Sequence, residues 1–327
     1  MLTTSMQATG FKKKLATCLK ISISAGLICY LIWLIDWGRA ANAIQQADKQ
    51  LFLLAPCSVF LGMTASSYRW IFILRDHAIA FALRKAYRGY LIGNFYSIFL
   101  PGVIGGDAVR IVYCVKATRC DTAVASASVF VERVSGIIAI CGFMFVASWL
   151  FADHFPGELV TILQTPVQLF SGSLFLGLII LMAGARYIRA WVPPDKWRNP
   201  MAIFFHSGLM TIADLKWKTL VRVLLLSAFF QSGDIVATFI LSKAIGISLP
   251  LHVFFVVIPI VYLATVLPVS MGGVGVREGT IVYLLSQLGV ENSMSITLSF
   301  LIYLNRVLIG GLGAIVQCRE SFDMKKP

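Results

Sequence analysis

LPGVIGGDAVR, at residues 100–110, and LPVSMGGVGVR, at residues 267–277, follow one pattern. Both stretches have a Leu-Pro pair, a glycine pair and a Val-Arg pair at identical spacing, and they lie about half the chain length apart. Proline and glycine are poor residues for the interior of a helix. Their repetition at matching positions predicts a duplicated fold in which helices are broken at equivalent points.

The composition is that of an integral membrane protein. Hydrophobic residues make up 58% of the 327 residues and charged residues only 13%, whereas about a quarter of a typical globular protein is charged. A net charge of +13 would raise the question of nucleic acid binding in a soluble chain. Here the basic residues lie between apolar segments, which indicates membrane topology and anionic lipids rather than nucleic acid.

Six segments are long and apolar enough to cross a bilayer as helices, for which about 20 residues suffice. They are residues 15–35, 51–74, 123–150, 168–185, 220–242 and 295–317. The basic run Lys12-Lys13-Lys14 places the N-terminus in the cytoplasm, and most of the other Lys and Arg residues then fall on the same side. This asymmetry follows the positive-inside rule. We therefore predict that the first helix is retained and that both termini are cytoplasmic.

Two further apolar stretches, residues 88–121 and 250–290, contain the repeated pattern. The orientation of the neighbouring spans requires the first stretch to enter and leave on the cytoplasmic side, and the second on the opposite side. We predict two re-entrant hairpins of broken helices, with kinked full spans as the alternative. The predicted fold is an all-α polytopic membrane protein with six spanning helices, forming a single domain over residues 1–327.

The two halves, approximately 15–150 and 168–317, each have the order span, span, hairpin, span, in opposite orientation. Inverted repeats with discontinuous helices are common in secondary transporters, and the substrate site lies where the repeats meet. A cytoplasmic connector, residues 186–219, joins the halves. Its mixture of aromatic and basic residues predicts a location at the membrane interface.

The predicted hairpin tips consist of prolines and glycines. They are Pro101, Gly105 and Gly106 in the first hairpin and Pro268, Gly272, Gly273 and Gly275 in the second. A glycine-rich turn that leads into a helix presents free backbone N–H groups and the positive helix end, which both favour anions. An arginine follows each tip, and arginine can hold a phosphate with two hydrogen bonds. This combination predicts binding of a phosphate-bearing lipid headgroup.

Charged residues within membrane segments are costly, and they usually mark functional sites or ion pairs. The candidates for headgroup binding and transport are Asp107, Arg110, Glu132, Arg133, Arg277, Glu278 and Arg306. The arginines would hold the anion, while the carboxylates would balance their charge or meet a cationic part of an aminoacyl headgroup. Structural ion pairing is the alternative for Glu132 and Arg133, which point to different helix faces and need partners elsewhere.

Two other charged residues lie in predicted spans. Arg69 is near the cytoplasmic end of its span, so we predict that it snorkels towards the headgroups. Asp234 has no basic residue nearby in the sequence and is a candidate proton-coupling carboxylate. The four histidines and seven cysteines lack metal-site spacing, and no recognised catalytic motif occurs. We predict no metal site, no cofactor and no enzymatic activity.

Three blocks of motifs carry a family resemblance. They are Asn94 … Leu100-Pro101-Gly102 … Gly105-Gly106-Asp107 … Arg110, then Glu132-Arg133 … Gly136, then Pro268 … Gly272-Gly273 … Gly275 … Arg277-Glu278. In this order they resemble the transmembrane, flippase-like domain of bacterial and archaeal lysylphosphatidylglycerol synthases, over nearly the whole chain. In two-part members this domain is associated with moving an aminoacylated lipid between leaflets, and a soluble C-terminal domain makes that lipid. Because the sequence ends at Pro327, the resemblance implies a stand-alone member without the synthetase domain.

The leading hypothesis is a lipid transporter of the bacterial or archaeal cytoplasmic (inner) membrane. It would bind a phosphate-containing or aminoacylated headgroup between the two hairpins. One alternative is a membrane-embedded accessory subunit that partners an enzyme of lipid or glycan synthesis. The other is a lipid-modifying membrane enzyme, for which Glu132 or Glu278 would be the acid or base.

Overall fold

The computed structural model describes residues 38, 45, 47–99, 105–151, 163–188, 200–266 and 275–323. Ten α-helices lie in these ranges, and no strand is present within them. They are α1 (Lys49–Asp76), α2 (Leu83–Phe99), α3 (Gly105–Thr118), α4 (Thr122–Phe151), α5 (Gln168–Ile188), α6 (Pro200–Asp214), α7 (Trp217–Ala244), α8 (Leu251–Val266), α9 (Val276–Ser286) and α10 (Asn292–Asp323). A short π-helical turn, Leu163–Val167, precedes α5.

Five of these helices, α1, α4, α5, α7 and α10, are long and apolar enough to cross a membrane. Each coincides with a span predicted from the sequence, which confirms an all-α polytopic membrane protein. The sixth predicted span, residues 15–35, lies outside the described residues.

The two interrupted stretches form helix pairs. Helix α2 packs against α3, and α8 packs against α9. The four arms have 17, 14, 16 and 11 residues, each fewer than the roughly 20 that a helical span needs. The breaks fall at the predicted places, although Pro101, Pro268, Gly272 and Gly273 lie outside the described residues. Re-entry from opposite membrane faces stays a prediction.

Helices α1 and α7, the second spans of the two predicted halves, form a close antiparallel pair. The Asp48 N–H donates to the carbonyl of Ala244 at one end, 2.9 Å away, and the Lys216 N–H donates to the Asp76 carboxylate at the other, also 2.9 Å away. Between these ends, a Cβ on Gly233 would lie only 2.9 Å from the carbonyl oxygen of Ser58. Small residues at this crossing allow the two backbones to approach closely.

Each hairpin packs against the last span of the other predicted half. Helix α2 lies along α10, where Gly313 meets the carbonyl of Leu91. Helix α8 lies along α4, with the rings of Phe143 and Phe255 5.1 Å apart. This exchange of packing partners is what an inverted repeat produces, although the repeat itself stays a prediction.

The connector between the halves contains α6, which packs against both α4 and α5. Ile212 and Leu215 are fully buried in this packing. Gly208 faces the ring of Phe130 on α4 with no space for a side chain. The part of the connector around Gly208–Leu215 therefore belongs to the hydrophobic core. Its predicted location at the membrane interface stays a prediction.

Candidate functional site

Glu132 on α4 is the centre of a buried cluster of charges. Its side chain is 3% exposed, and it accepts hydrogen bonds from three other helices. The Arg69 Nε lies 3.3 Å from Oε1, while the Arg110 guanidinium donates to Oε2 and the Tyr90 hydroxyl donates to Oε1. One carboxylate thus connects α1, α2, α3 and α4. The ion pairing considered from the sequence is present for this residue.

Arg69 is buried, and the prediction that it snorkels is wrong. The residue is 4% exposed, and its Nη1 donates to the Ser227 hydroxyl on α7, 2.9 Å away. Ser227 donates in turn to Ser135 on α4, also 2.9 Å away. A guanidinium held by a carboxylate and a hydroxyl has no need to reach the headgroup region, so partners on other helices decided its position.

Arg110 is enclosed by aromatic rings and by the backbone of α2. Its guanidinium carbon lies 3.7 Å from the centroid of the Tyr90 ring and 4.4 Å from that of the Trp70 ring. The aliphatic part of its side chain crosses α2 at Gly93, where a Cβ would lie 2.6 Å from the Arg110 Cγ. Cation–π contacts and the Glu132 carboxylate together hold this arginine inside the protein.

Asp107 extends the cluster towards the protein surface. Its Oδ1 lies 3.3 Å from Arg110 Nη1, and its Oδ2 accepts from Arg133 Nε at 2.6 Å. The Arg133 side chain is 46% exposed, against 9% for Arg110. In these contacts three guanidinium groups share two carboxylates, and Arg133 is the guanidinium nearest the surface.

Gly106 is a packing residue of the first hairpin. It is buried, and a Cβ at this position would collide with the carbonyl of Gly93 on α2. The close approach of α2 and α3 therefore requires glycine at both positions. Anion binding by the backbone N–H groups of Gly105 and Gly106 stays a prediction.

The second hairpin contains an ion pair at the start of α9. Gly275 has φ +85°, a conformation that favours glycine, and its N–H donates to Glu278 Oε2 at 2.7 Å. Glu278 Oε1 accepts from Arg277 Nε at 3.0 Å. The side chains of Arg277 and Glu278 are 15% and 18% exposed. A carboxylate of the chain itself therefore lies at this helix N-terminus.

Arg306 on α10 lies between the two hairpins. Its Nη2 is 3.3 Å from the hydroxyl of Ser97, near the end of α2. It is also within electrostatic range of Arg277, so the two positive charges repel each other. Arg306 is exposed, and no carboxylate among the described residues forms a salt bridge with it. Binding of an external anion by Arg306 stays a prediction.

Asp234 on α7 lies within electrostatic range of Arg306. Its Oδ2 accepts a hydrogen bond from the Tyr262 hydroxyl on α8, 3.1 Å away. Arg306 attracts it electrostatically without forming a salt bridge. The carboxylate, the tyrosine and the two arginines, Arg277 and Arg306, form a second group of polar residues beside the second hairpin.

The predicted site residues are therefore gathered in two groups rather than one. Asp107, Arg110, Glu132 and Arg133 lie together at the first hairpin, and Arg277, Glu278 and Arg306 lie together at the second. The contact between Arg306 and Ser97 connects the two groups. In the described ranges, no cluster of three or more His, Cys, Asp or Glu residues that could hold a metal ion occurs.

Several residues of these groups were not predicted from the sequence, notably Trp70, Tyr90 and Tyr262. One signal was available on α2, where Tyr90, Asn94 and Ser97 occupy positions i, i+4 and i+7. This spacing places them on one helix face, where Tyr90 contacts Glu132 and Ser97 contacts Arg306. A polar face on a short membrane-embedded helix indicates a site.

Both groups of polar residues lie in the part of the chain that is similar to known proteins. The family model described as the lysylphosphatidylglycerol synthase TM region matches residues 18–313. A UPF0104 membrane protein from Methanothermobacter thermautotrophicus is 22% identical over 293 residues, which cover 84% of this chain and 86% of that protein.

Proposed function

We propose that this chain, which belongs to the family of lysylphosphatidylglycerol synthase TM regions, moves a lipid between membrane leaflets. The motif blocks in the sequence predicted this family. The lipid carries a phosphate-containing or aminoacylated headgroup. The protein acts in the bacterial or archaeal cytoplasmic membrane, with both termini in the cytoplasm, and it changes the position of the lipid rather than its covalent structure.

The position of Arg306 is the observation that carries the proposal. It is exposed, it reaches the first hairpin through Ser97, and it is close to Arg277 of the second hairpin. Two neighbouring guanidinium groups of like charge are stabilised by an anion that binds between them. A lipid phosphate supplies that charge, and Arg306 can hold it with paired hydrogen bonds.

The remaining charged residues have supporting roles in this proposal. Arg110 and Arg277 are engaged by Glu132 and Glu278, so they position the hairpins and contribute a positive field. Arg133 is the most exposed guanidinium of the first cluster, and it attracts the headgroup towards the site. A cationic aminoacyl group would be attracted by the Asp107 carboxylate, which is 13% exposed.

We infer alternating access from the same arrangement. The α1–α7 pair crosses at Gly62 and Gly233, where the two backbones approach closely. Each hairpin is attached to the last span of the other half. Rocking of the halves about the α1–α7 crossing therefore moves both hairpins relative to a headgroup bound at Arg306, as in other inverted-repeat transporters.

The test is lipid translocation by the purified protein in liposomes. A fluorescent phosphatidylglycerol is loaded into one leaflet, and its appearance in the other is measured with a membrane-impermeant quencher. A charge-assisted hydrogen bond contributes roughly 1.5–3 kcal/mol, so Arg306→Gln should reduce the rate about 10- to 100-fold. Arg84→Gln, which removes an exposed arginine of α2 that belongs to neither group, should leave the rate unchanged.

Equal rates for wild type and Arg306→Gln would overturn the assignment of the site. A chemically altered lipid recovered from the liposomes would indicate the enzyme alternative. Stable copurification of a lipid- or glycan-synthesis enzyme, with function surviving all hairpin substitutions, would indicate the accessory subunit.

A further inference from the structure

Asp234 differs from the other carboxylates next to the hairpins. Asp107, Glu132 and Glu278 each form a salt bridge with an arginine. Asp234 forms none with any residue that the structure describes, and its hydrogen bond comes from a neutral group, the Tyr262 hydroxyl. It nevertheless lies in the C-terminal half of α7, one of the helices able to span a membrane.

The charged and titratable groups that act on Asp234 can be named element by element within the described ranges. Helix α8 contributes Tyr262 and α10 contributes Arg306, while Arg277 of α9 acts on both of these groups. On the α1 side the backbone of Ser58 lies next to Gly233, and on the α4 side Gly136 lies next to Gln231. Neither Ser58 nor Gly136 carries a charge. Among the described residues, Arg306 is the positive charge that acts on the Asp234 carboxylate.

A carboxylate in a membrane-spanning helix that forms no salt bridge is more stable as an ion while a positive charge acts on it. A phosphate bound at Arg306 neutralises that charge and adds a negative one nearby. Both effects favour the protonated acid. The charge state of Asp234 is thus coupled to the occupancy of the anion site, since the carboxylate and the bound phosphate both interact with the Arg306 guanidinium.

We propose that Asp234 takes up one proton when a phosphate group binds at Arg306 and releases it when the phosphate leaves. The proton adds to a carboxylate oxygen, and no other bond is formed or broken. This inference rests on the proposed function, because it requires an anion at Arg306. One negative phosphate and one proton then enter the site together, so occupancy changes without a net change of charge.

The coupling has a measurable consequence because linkage is reciprocal. If the phosphate raises the proton affinity of Asp234, then protonation of Asp234 raises the affinity for phosphate. Binding should weaken as the pH rises through the titration of Asp234, by at most about tenfold per pH unit for one proton. Asp234→Asn imitates the protonated acid, so its affinity should match the low-pH affinity of wild type at every pH.

The experiment is isothermal titration calorimetry of the full-length protein in a neutral detergent. Short-chain phosphatidylglycerol is the probe, because its phosphodiester keeps a single charge between about pH 5 and pH 8. Titrations in buffers of different ionisation enthalpy give the number of protons taken up per lipid bound. Wild type should take up a fraction of a proton that approaches one, and Asp234→Asn should take up none. Asp48→Asn, a change at an exposed helix cap, is the matched control and should behave as wild type.

The outcomes separate the two proposals. Binding by wild type without proton uptake, or uptake that persists in Asp234→Asn, overturns the coupling while leaving the transport site intact. Binding that persists unchanged in Arg306→Gln, or no binding by wild type, overturns the site and the coupling together. Glycerophosphorylglycerol, the headgroup without acyl chains, is titrated in parallel. If it binds as tightly as the lipid with the same proton uptake, the coupling stands and the ligand is a soluble phosphate ester.

Tyr262→Phe provides a second test in case Asp234→Asn does not fold. The tyrosine hydroxyl donates to the carboxylate and so stabilises its ionised form, and its loss favours the acid. The pH at which lipid binding weakens should therefore move upwards in Tyr262→Phe. An unchanged or lower value would contradict a titrating Asp234.

Discussion

Replacing Glu132 by glutamine should lower the free energy of unfolding by about 3–5 kcal/mol, the usual cost of removing one partner from a buried ion pair. The carboxylate contacts both Arg69 and Arg110, and all three side chains are less than one-tenth exposed. Glutamine keeps the size of the side chain but removes its charge. Two guanidinium groups would then remain buried, with Asp107, hydroxyl groups and aromatic rings as their remaining partners.

The matched control is Glu278→Gln, which removes a carboxylate from one arginine at an 18% exposed position. Water and the flexible guanidinium reduce that loss to about 1 kcal/mol or less. A second comparison uses Arg69→Met, which removes one of the two arginines. The double substitution Arg69→Met with Glu132→Gln should cost less than the sum of the single changes, because the residues interact directly.

Reversible unfolding by an anionic detergent, followed by tryptophan fluorescence, measures these differences. The expected order of stability is wild type, then Glu278→Gln, then Glu132→Gln. A Glu132→Gln protein within about 0.5 kcal/mol of wild type would refute the argument, because surface substitutions alone produce changes of that size. Strict additivity of the Arg69 and Glu132 substitutions would also contradict it.

Two further predictions concern close helix packing. Gly106→Ala places a methyl group against the Gly93 carbonyl and should lower the free energy of unfolding by about 1–3 kcal/mol. Detergent unfolding compares it with Gly279→Ala, where nothing lies within 4 Å of the added atom. Equal stability of the two variants would contradict this prediction. Gly233→Leu should separate α1 from α7, because even a Cβ there is 2.9 Å from the Ser58 carbonyl. We expect at least about tenfold slower lipid translocation together with lower stability, and a Gly233→Leu protein that translocates lipid at the wild-type rate would show that the crossing has no role.

The membrane helices were predictable because hydrophobicity and length are local properties of the chain. All five spanning helices that the structure describes had been predicted within a few residues. The helix interruptions before Gly105 and Gly275 were predictable for the same reason, because proline and glycine end a helix through their local backbone geometry. Comparison of the motif blocks also identified the family correctly.

The partners of the charged residues were predictable only in part. The adjacent positions of Glu132 and Arg133 showed that the two needed different partners, and the structure supplies Arg69 and Arg110 for one and Asp107 for the other. For Arg69, position near a helix end suggested snorkelling, because the sequence does not reveal a carboxylate 63 positions away on another helix.

The sequence by itself determined which segments are helical, where two of them are interrupted, and which charged side chains the membrane segments contain. These features depend on residues close together along the chain. The tertiary structure alone decided that Arg110 is engaged by Glu132, while Arg306 forms no salt bridge with a carboxylate in the described part of the chain. Periodicity assigns a residue to a face of its own helix, but only packing decides which faces of different helices meet.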